Sequence, residues 1–207
     1  SHALNSGAFL LLERTDDNSV PNITADLIYN GALANTNETL YLFNNNCELE
    51  DIVKAQPNWP AGDNETKRTM ERALNNLIWY TYGASDEDDI LGTPKAENSN
   101  TNWSKPLPGG SGGTNSSSNS NNTNNTNNTN NTNNANNTIT ACSQTNLNNP
   151  IHGPVIINEV AWMGTNVSAN DEWIELKNLS SETINLSQWQ LLDKDEQIKI
   201  YFSAADT

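Results

Sequence analysis

Apolar and polar residues alternate with a period of two through much of the C-terminal quarter of the chain. Val155-Ile156-Ile157 opens a continuous apolar stretch that runs to Trp162. In Glu172-Trp173-Ile174-Glu175-Leu176-Lys177, Ile174 and Leu176 alternate with Glu175 and Lys177, the signature of a half-buried strand. Asn178–Glu182 reads as a turn, after which Thr183-Ile184-Asn185-Leu186 resumes the alternation. Trp189-Gln190-Leu191 falls out of phase with Ile184 and Leu186, which predicts a bulge near Ser187-Gln188. Ile198–Phe202 alternates again behind a turn at Asp193–Glu196.

Residues 1–98 repeat the style. Phe9–Leu12 is a short apolar run ending in Glu13-Arg14, as expected of a strand buried on both faces. Ala25–Tyr29 and Thr39–Phe43 follow as strands, with a turn at Asn44-Asn45-Asn46, where Asn tolerates positive φ. Glu48–Ala55 places Leu49 and Val53 on one face, and Thr66–Arg72 reads as a last strand. Leu74, Leu77 and Ile78 have helical spacing over a very short stretch. Many short strands punctuated by turns predict an all-β sandwich or barrel.

Composition separates these two segments. Residues 99–150 carry a single charged residue, Lys105, and few hydrophobic ones, and Thr114–Thr138 is almost entirely Asn, Ser and Thr. Such a stretch cannot offset its ordering entropy and reads as a disordered linker. Its Asn-Asn-Thr triplets match the glycosylation acceptor pattern, but this composition makes that pattern inevitable. The formal net charge of -15 divides as -10 over residues 1–98, +1 over 99–150 and -6 over 151–207. Acidic surfaces repel a phosphate backbone, which argues against nucleic acid as a partner. No apolar run reaches the length of a membrane span. Cys47 and Cys142 have no CxxC spacing for zinc. Cys142 sits in the polar tract, whose flexibility argues against a bridge to Cys47. The chain begins at Ser1 without Met and reads as a piece of a longer protein.

Candidate chemistry is sparse. Glu172 and Glu175 are the best-spaced carboxylate pair for acid/base work, yet their odd separation puts them on opposite faces of one strand, as solvated side chains. Asp86-Glu87-Asp88-Asp89 is rich in oxygen ligands but lacks the spacing of a calcium loop. His2 and His152 lie near segment ends, and no G-x-S-x-G elbow is present, so no catalytic residue, cofactor or metal is assigned. Lys67, Arg68 and Arg72 form the one basic cluster. Trp173 is out of phase with Ile174 and Leu176 and shares a face with Glu175 and Lys177. Those three make a candidate interaction surface for a protein or a surface glycan, the alternative being a Trp covered by the loop Gly164–Ala169.

Asn158-Glu159-Val160-Ala161-Trp162, Asn170–Asn178 and Ile184–Trp189 together resemble the opening of a lamin-tail domain of the prokaryotic type. Phe9–Thr15 (FLLLERT), Tyr29–Asn35, Asn37–Leu42, Trp59–Asp63, Thr69–Arg72 and Gly92-Thr93-Pro94 with Asn98 resemble the closing half of the same family, with Asn37 where that family's turn carries Gly. The resemblance implies a tandem array cut mid-domain. Residues 1–98 would be the C-terminal half of one repeat, 99–150 a linker, and 151–207 the N-terminal half of the next. It also implies an immunoglobulin-like β-sandwich, completed as a circular permutant when the two halves combine. About 50 flexible residues span roughly 40 Å, enough to reach across a small domain. Dimerisation by half-domain exchange is the competing arrangement, and Ser1 should lie near Thr207 if completion is intramolecular. The function implied is a non-catalytic module for adhesion, scaffolding or protein–protein interaction, in an exported or envelope-attached protein. Its rival is an accessory domain of an exported nuclease or other hydrolase. Both rest on fold-level analogy.

Overall fold

Alternating and continuous apolar runs from both segments become strands of shared sheets. The computed structural model describes residues 3–85, 89–99, 140–145 and 147–203. Ser1–Ser104 and Ala141–Thr207 form one unit, and Lys105–Thr140 a second that lies, apart from Thr140, outside the described residues. The strands are β1 (Ala3–Leu4), β2 (Phe9–Arg14), β3 (Leu27–Tyr29), β4 (Thr36–Phe43), β5 (Leu49–Asn58), β6 (Met70–Arg72), β7 (Trp79–Thr81), β8 (Val155–Ala161), β9 (Trp173–Asn178), β10 (Ile184–Asn185), β11 (Gln190–Asp193) and β12 (Lys199–Tyr201). No helix occurs among the described residues.

The larger sheet has the order β3-β2-β9-β8-β6-β7, the smaller β12-β11-β4-β5, and β1 pairs with β10 in a two-stranded ribbon. Every sheet draws strands from both 1–98 and 151–207. The central pairings β2–β9, β6–β8 and β4–β11 all join one segment to the other. This is an all-β, immunoglobulin-like sandwich.

Register fixes which side chains meet. Leu12, Ile174, Val160 and Met70 lie in one row across four strands, and Leu10, Leu176 and Ile157 in the next. These rows enter the main core with Leu40, Leu42 and Val53 of the smaller sheet. Each such fully buried aliphatic side chain contributes about 1.5–3 kcal/mol. Trp59 and Trp162 stack with ring centroids 6.2 Å apart, their indole N–H groups donating to the carbonyls of Ala34 and Ala61.

Several expectations need correction. Leu49 and Val53 do not share a face. A bulge opposite Leu42/Phe43 turns Leu49 outward into a second cluster, while Val53 stays in the core. The phase break near Gln188 is a change of sheet rather than a bulge. Ile184 pairs with β1, and Gln188, at φ +70°, turns the chain into β11. The strand expected over Thr66–Arg72 shortens to Met70–Arg72, because Asp63 and Arg68 close a turn through reciprocal backbone hydrogen bonds. Leu74–Ile78 is a turn with Leu77 at φ +58°, not a helix. Cys47 and Cys142 do form a disulfide, with Cα atoms 5.3 Å apart. Residues 141–145 and Leu147 depart from the expected disorder: the disulfide ties Cys142 to the β4–β5 turn, and Ala141, Cys142 and Leu147 pack on the smaller sheet. Ser1 and Thr207 lie outside the described residues.

Candidate functional site: a buried carboxylate row

The outer face of the larger sheet carries a group of acidic side chains on three adjacent strands. Glu71 on β6 pairs with Glu159 on β8, and Glu159 with Glu175 on β9, so three carboxylates stand side by side at one register. All three are buried. They sit there because residues 89–99 cross over the sheet and offer donors to them. The Thr93 amide donates to Glu159 Oε1 at 2.9 Å and the Lys95 amide to Glu175 Oε2 at 2.5 Å. The Ser99 amide donates to Glu71 at 3.2 Å. The Thr93 hydroxyl lies 2.6 Å from Glu71 Oε1 and 3.0 Å from Glu159 Oε2, bridging the two acids. Thr69 donates to Glu159 at 2.5 Å, and Asn158, held by Asn98, donates to Glu175 at 2.8 Å.

Three acids this close and this dry cannot all be ionised. Burial pushes the Glu159 carboxyl well above the ordinary range, and the charges of Glu175 and Glu71 push it further. Burial likewise raises Glu175 to about 8, against the hydrogen bonds from Lys95 and Asn158. Burial thus favours the protonated form of Glu159 and Glu175. Its oxygens are spent on holding residues 91–99, and among the described residues no three acidic, His or Cys side chains converge to hold a metal ion. A small pocket beside the row, between Trp173, Thr69 and Ile90, offers about 10 Å³, room for one water.

The expected interaction surface is not presented. Trp173, Glu175 and Lys177 do share the outer face, but all three are buried. Ile90, Leu91 and the turn at Gly164–Asn166 close over Trp173, so the covering-loop alternative describes it better. Lys177 packs its ammonium 4.6 Å from the Phe9 ring centroid and pairs with Glu97 at 2.5 Å. Glu172 and Glu175 point to opposite faces as expected, yet neither is solvated. Glu172 accepts the Leu33 amide and pairs with Arg14, and burial raises its carboxyl to about 7.

The basic cluster is dispersed into structural roles. Lys67 donates to the Met163 carbonyl, and Arg68 to that of Tyr82. Arg72 forms a buried pair with Asp51 at 3.1 Å while stacking over Trp79. Of the acidic run 86–89, only Asp89 lies within the described residues.

In the sequence, Glu71, Asn98, Asn158 and Glu159 figure only as residues of the family resemblance, none of them with a site role, and Asp51 is not singled out. A signal was there for Glu159, an acid in the middle of the apolar run Val155–Trp162. A charge at such a position is either paired or protonated.

Residues 148–206 match the family model described as Lamin Tail Domain. The match spans β8 to β12, including Trp173, Glu175 and Lys177, and stops short of Cys142 and of every strand in residues 1–98. Searches of curated proteins and of solved structures returned no match.

Proposed function

We propose that this chain is a non-catalytic lamin-tail-like β-sandwich module. It serves adhesion, scaffolding or protein–protein interaction within an exported or envelope-attached multidomain protein. In this reading residues 151–207 supply the opening strands of the sandwich and residues 1–98 its closing strands, so that consecutive repeats of an array are joined through the Asn/Thr tract. The observation that carries the reading is the Cys47–Cys142 disulfide. Such bonds persist in oxidising compartments and are rare where glutathione keeps thiols reduced. The acidic row supports it as well, since carboxylates committed to holding a loop are withdrawn from acid/base chemistry at a substrate.

Protease shaving of intact source cells tests the reading, combined with thiol labelling of the protein before lysis. The expected result is a module cleavable from outside with both cysteines blocked to label. A protease-protected module with two reactive thiols overturns it.

A further inference from the structure

The outer face of the smaller sheet carries an apolar patch, and a short segment of the same chain covers part of it. Register places Tyr201, Gln190, Phe43 and Leu49 in one row across that face, and Lys199, Leu192, Tyr41 and Ile52 in the next. Phe43, Leu49 and Leu192 are buried there with Cys142, and Ala141 and Leu147 pack against them. The Tyr41 and Phe43 rings stack at 6.0 Å. We propose that the Cys47–Cys142 disulfide is a reducible latch that holds residues 141–145 and Leu147 over this patch, and that its reduction uncovers the patch while the sandwich stays folded.

Three observations carry the proposal. First, this cluster is separate from the main core, and among the described residues of the segment none belongs to the larger one. Lifting the segment therefore leaves the packing between the two sheets intact. Second, the segment lies in no strand. The Cys142 amide donates to Gln190 Oε1 at 2.8 Å and the Gln144 side chain to the Asp193 carbonyl at 3.0 Å, both on β11. Net hydrogen bonds of this kind contribute only about 0.5–1.5 kcal/mol each, which leaves the disulfide and the few apolar contacts of Ala141, Cys142 and Leu147 to supply the rest of the hold. Past the segment the chain is re-anchored to β5, where the Ile151 and His152 amides donate to the carbonyls of Leu49 and Glu50.

Third, the bond is asymmetric toward solvent. Cys47 is exposed on the β4–β5 turn, whereas Cys142 is buried. That turn is built without the disulfide, because the Asn44 side chain accepts the amides of Asn46 and Glu48. A groove of about 310 Å³, lined by Cys47, Ser143, Leu147 and Ile151 among others, gives access alongside. A small dithiol attacks Cys47 Sγ as its thiolate, the S–S bond breaks, and Cys142 leaves as a thiolate that takes a proton. The second thiol of the reductant then attacks the mixed disulfide and expels Cys47. Two electrons and two protons pass to the protein, and the dithiol departs as a cyclic disulfide.

The test is amide hydrogen exchange by mass spectrometry on purified protein whose disulfide has first been verified by thiol alkylation. It is run with and without dithiothreitol, and on the Cys47→Ser/Cys142→Ser variant. On reduction, and in the variant without reductant, exchange over residues 141–149 should accelerate by about tenfold or more. Protection of β2, β8 and β9 should persist, and binding of an apolar dye should rise. Unchanged protection over 141–149 overturns the latch, because something else then holds the segment. Loss of protection in every strand also overturns it, because the bond is then a staple of the whole fold. A freed segment without increased dye binding overturns the uncovering of the patch. Because the experiment starts from verified oxidised protein, its failure is distinguishable from a failure of the export reading.

Discussion

Gly92 shows how closely residues 91–99 lie on the sheet. A Cβ at that position would stand 2.5 Å from Glu159 Oε1 and 2.8 Å from Thr69 Oγ1, though its φ needs no glycine. Gly92→Ala should therefore cost about 1–3 kcal/mol, the usual range for overpacking, read as a shift in the urea midpoint. Gly7→Ala is the control. Nothing lies within 4 Å of its missing Cβ, and only its φ of +68° resists a side chain, worth about 1 kcal/mol. Equal losses in the two variants would refute the close approach. Asp51 is the other sensitive position. Its Oδ1 pairs with Arg72 and its Oδ2 accepts the Ile157 amide, tying β5 to β6 and β8. Asp51→Asn leaves a buried guanidinium without its counter-charge, and should cost about 3–5 kcal/mol in thermal or urea unfolding. A loss within error of zero would show that the pair is dispensable.

At the scale of the element, the carboxylate row couples the loop that covers it to pH. In the unfolded chain a glutamate gives up its proton near 4.5, whereas in the folded row Glu175 keeps it to about 8 and Glu159 is raised as well. Burial also raises Glu13 and Glu172 to about 7. Between pH 4.5 and these values the folded state binds more protons than the unfolded one, so stability falls as pH rises. Below 4.5 both states are protonated and these groups cost nothing. The melting temperature should therefore be higher at pH 5.5 than at pH 8, and Glu159→Gln should flatten the decline. A melting temperature that climbs steadily from pH 5.5 to 8 would contradict the protonated row. The same network explains why Trp173, Glu175 and Lys177 are covered rather than displayed: residues 89–99 bring the donors that make their face a burial site.

For the whole molecule, the pairings β2–β9, β6–β8 and β4–β11 make each segment the completion of the other. Alone, either piece would leave open apolar strand edges, which aggregate or stay unfolded. Fragments 1–99 and 140–207, produced separately with Cys47 and Cys142 changed to Ser, should each lack dispersed amide signals in NMR and should acquire them on 1:1 mixing. A single fragment that folds by itself would refute this interdependence. In the intact chain, covalent tethering raises the effective concentration of the two segments to the order of millimolar.

How much of this was legible beforehand differs by kind of feature. Periodicity alone located β2, β4, β5, β8 and β9 to within a few residues, because a half-buried strand must alternate and a doubly buried one must be continuously apolar. Asn37 was readable too, as a residue standing in for Gly, and it occupies φ +54° at a bulge in β4. The short strands β6 and β7 were blurred, since three residues carry too little pattern to separate a strand from a turn. What period-two reasoning could not reach was the second layer. It sorts side chains into two faces but does not say which loop returns to cover the outer one. Periodicity therefore leaves Trp173 between a surface residue and one covered by a loop, and reads Glu175 as solvated and Cys142 as unpaired. The chain's own sequence determined the strands, their faces and the all-β class, because those follow from local periodicity. Only the tertiary structure decided that each outer face receives a covering segment, residues 89–99 on one and residues 141–145 with Leu147 on part of the other, because contacts between residues some 80 to 100 positions apart leave no mark on local pattern.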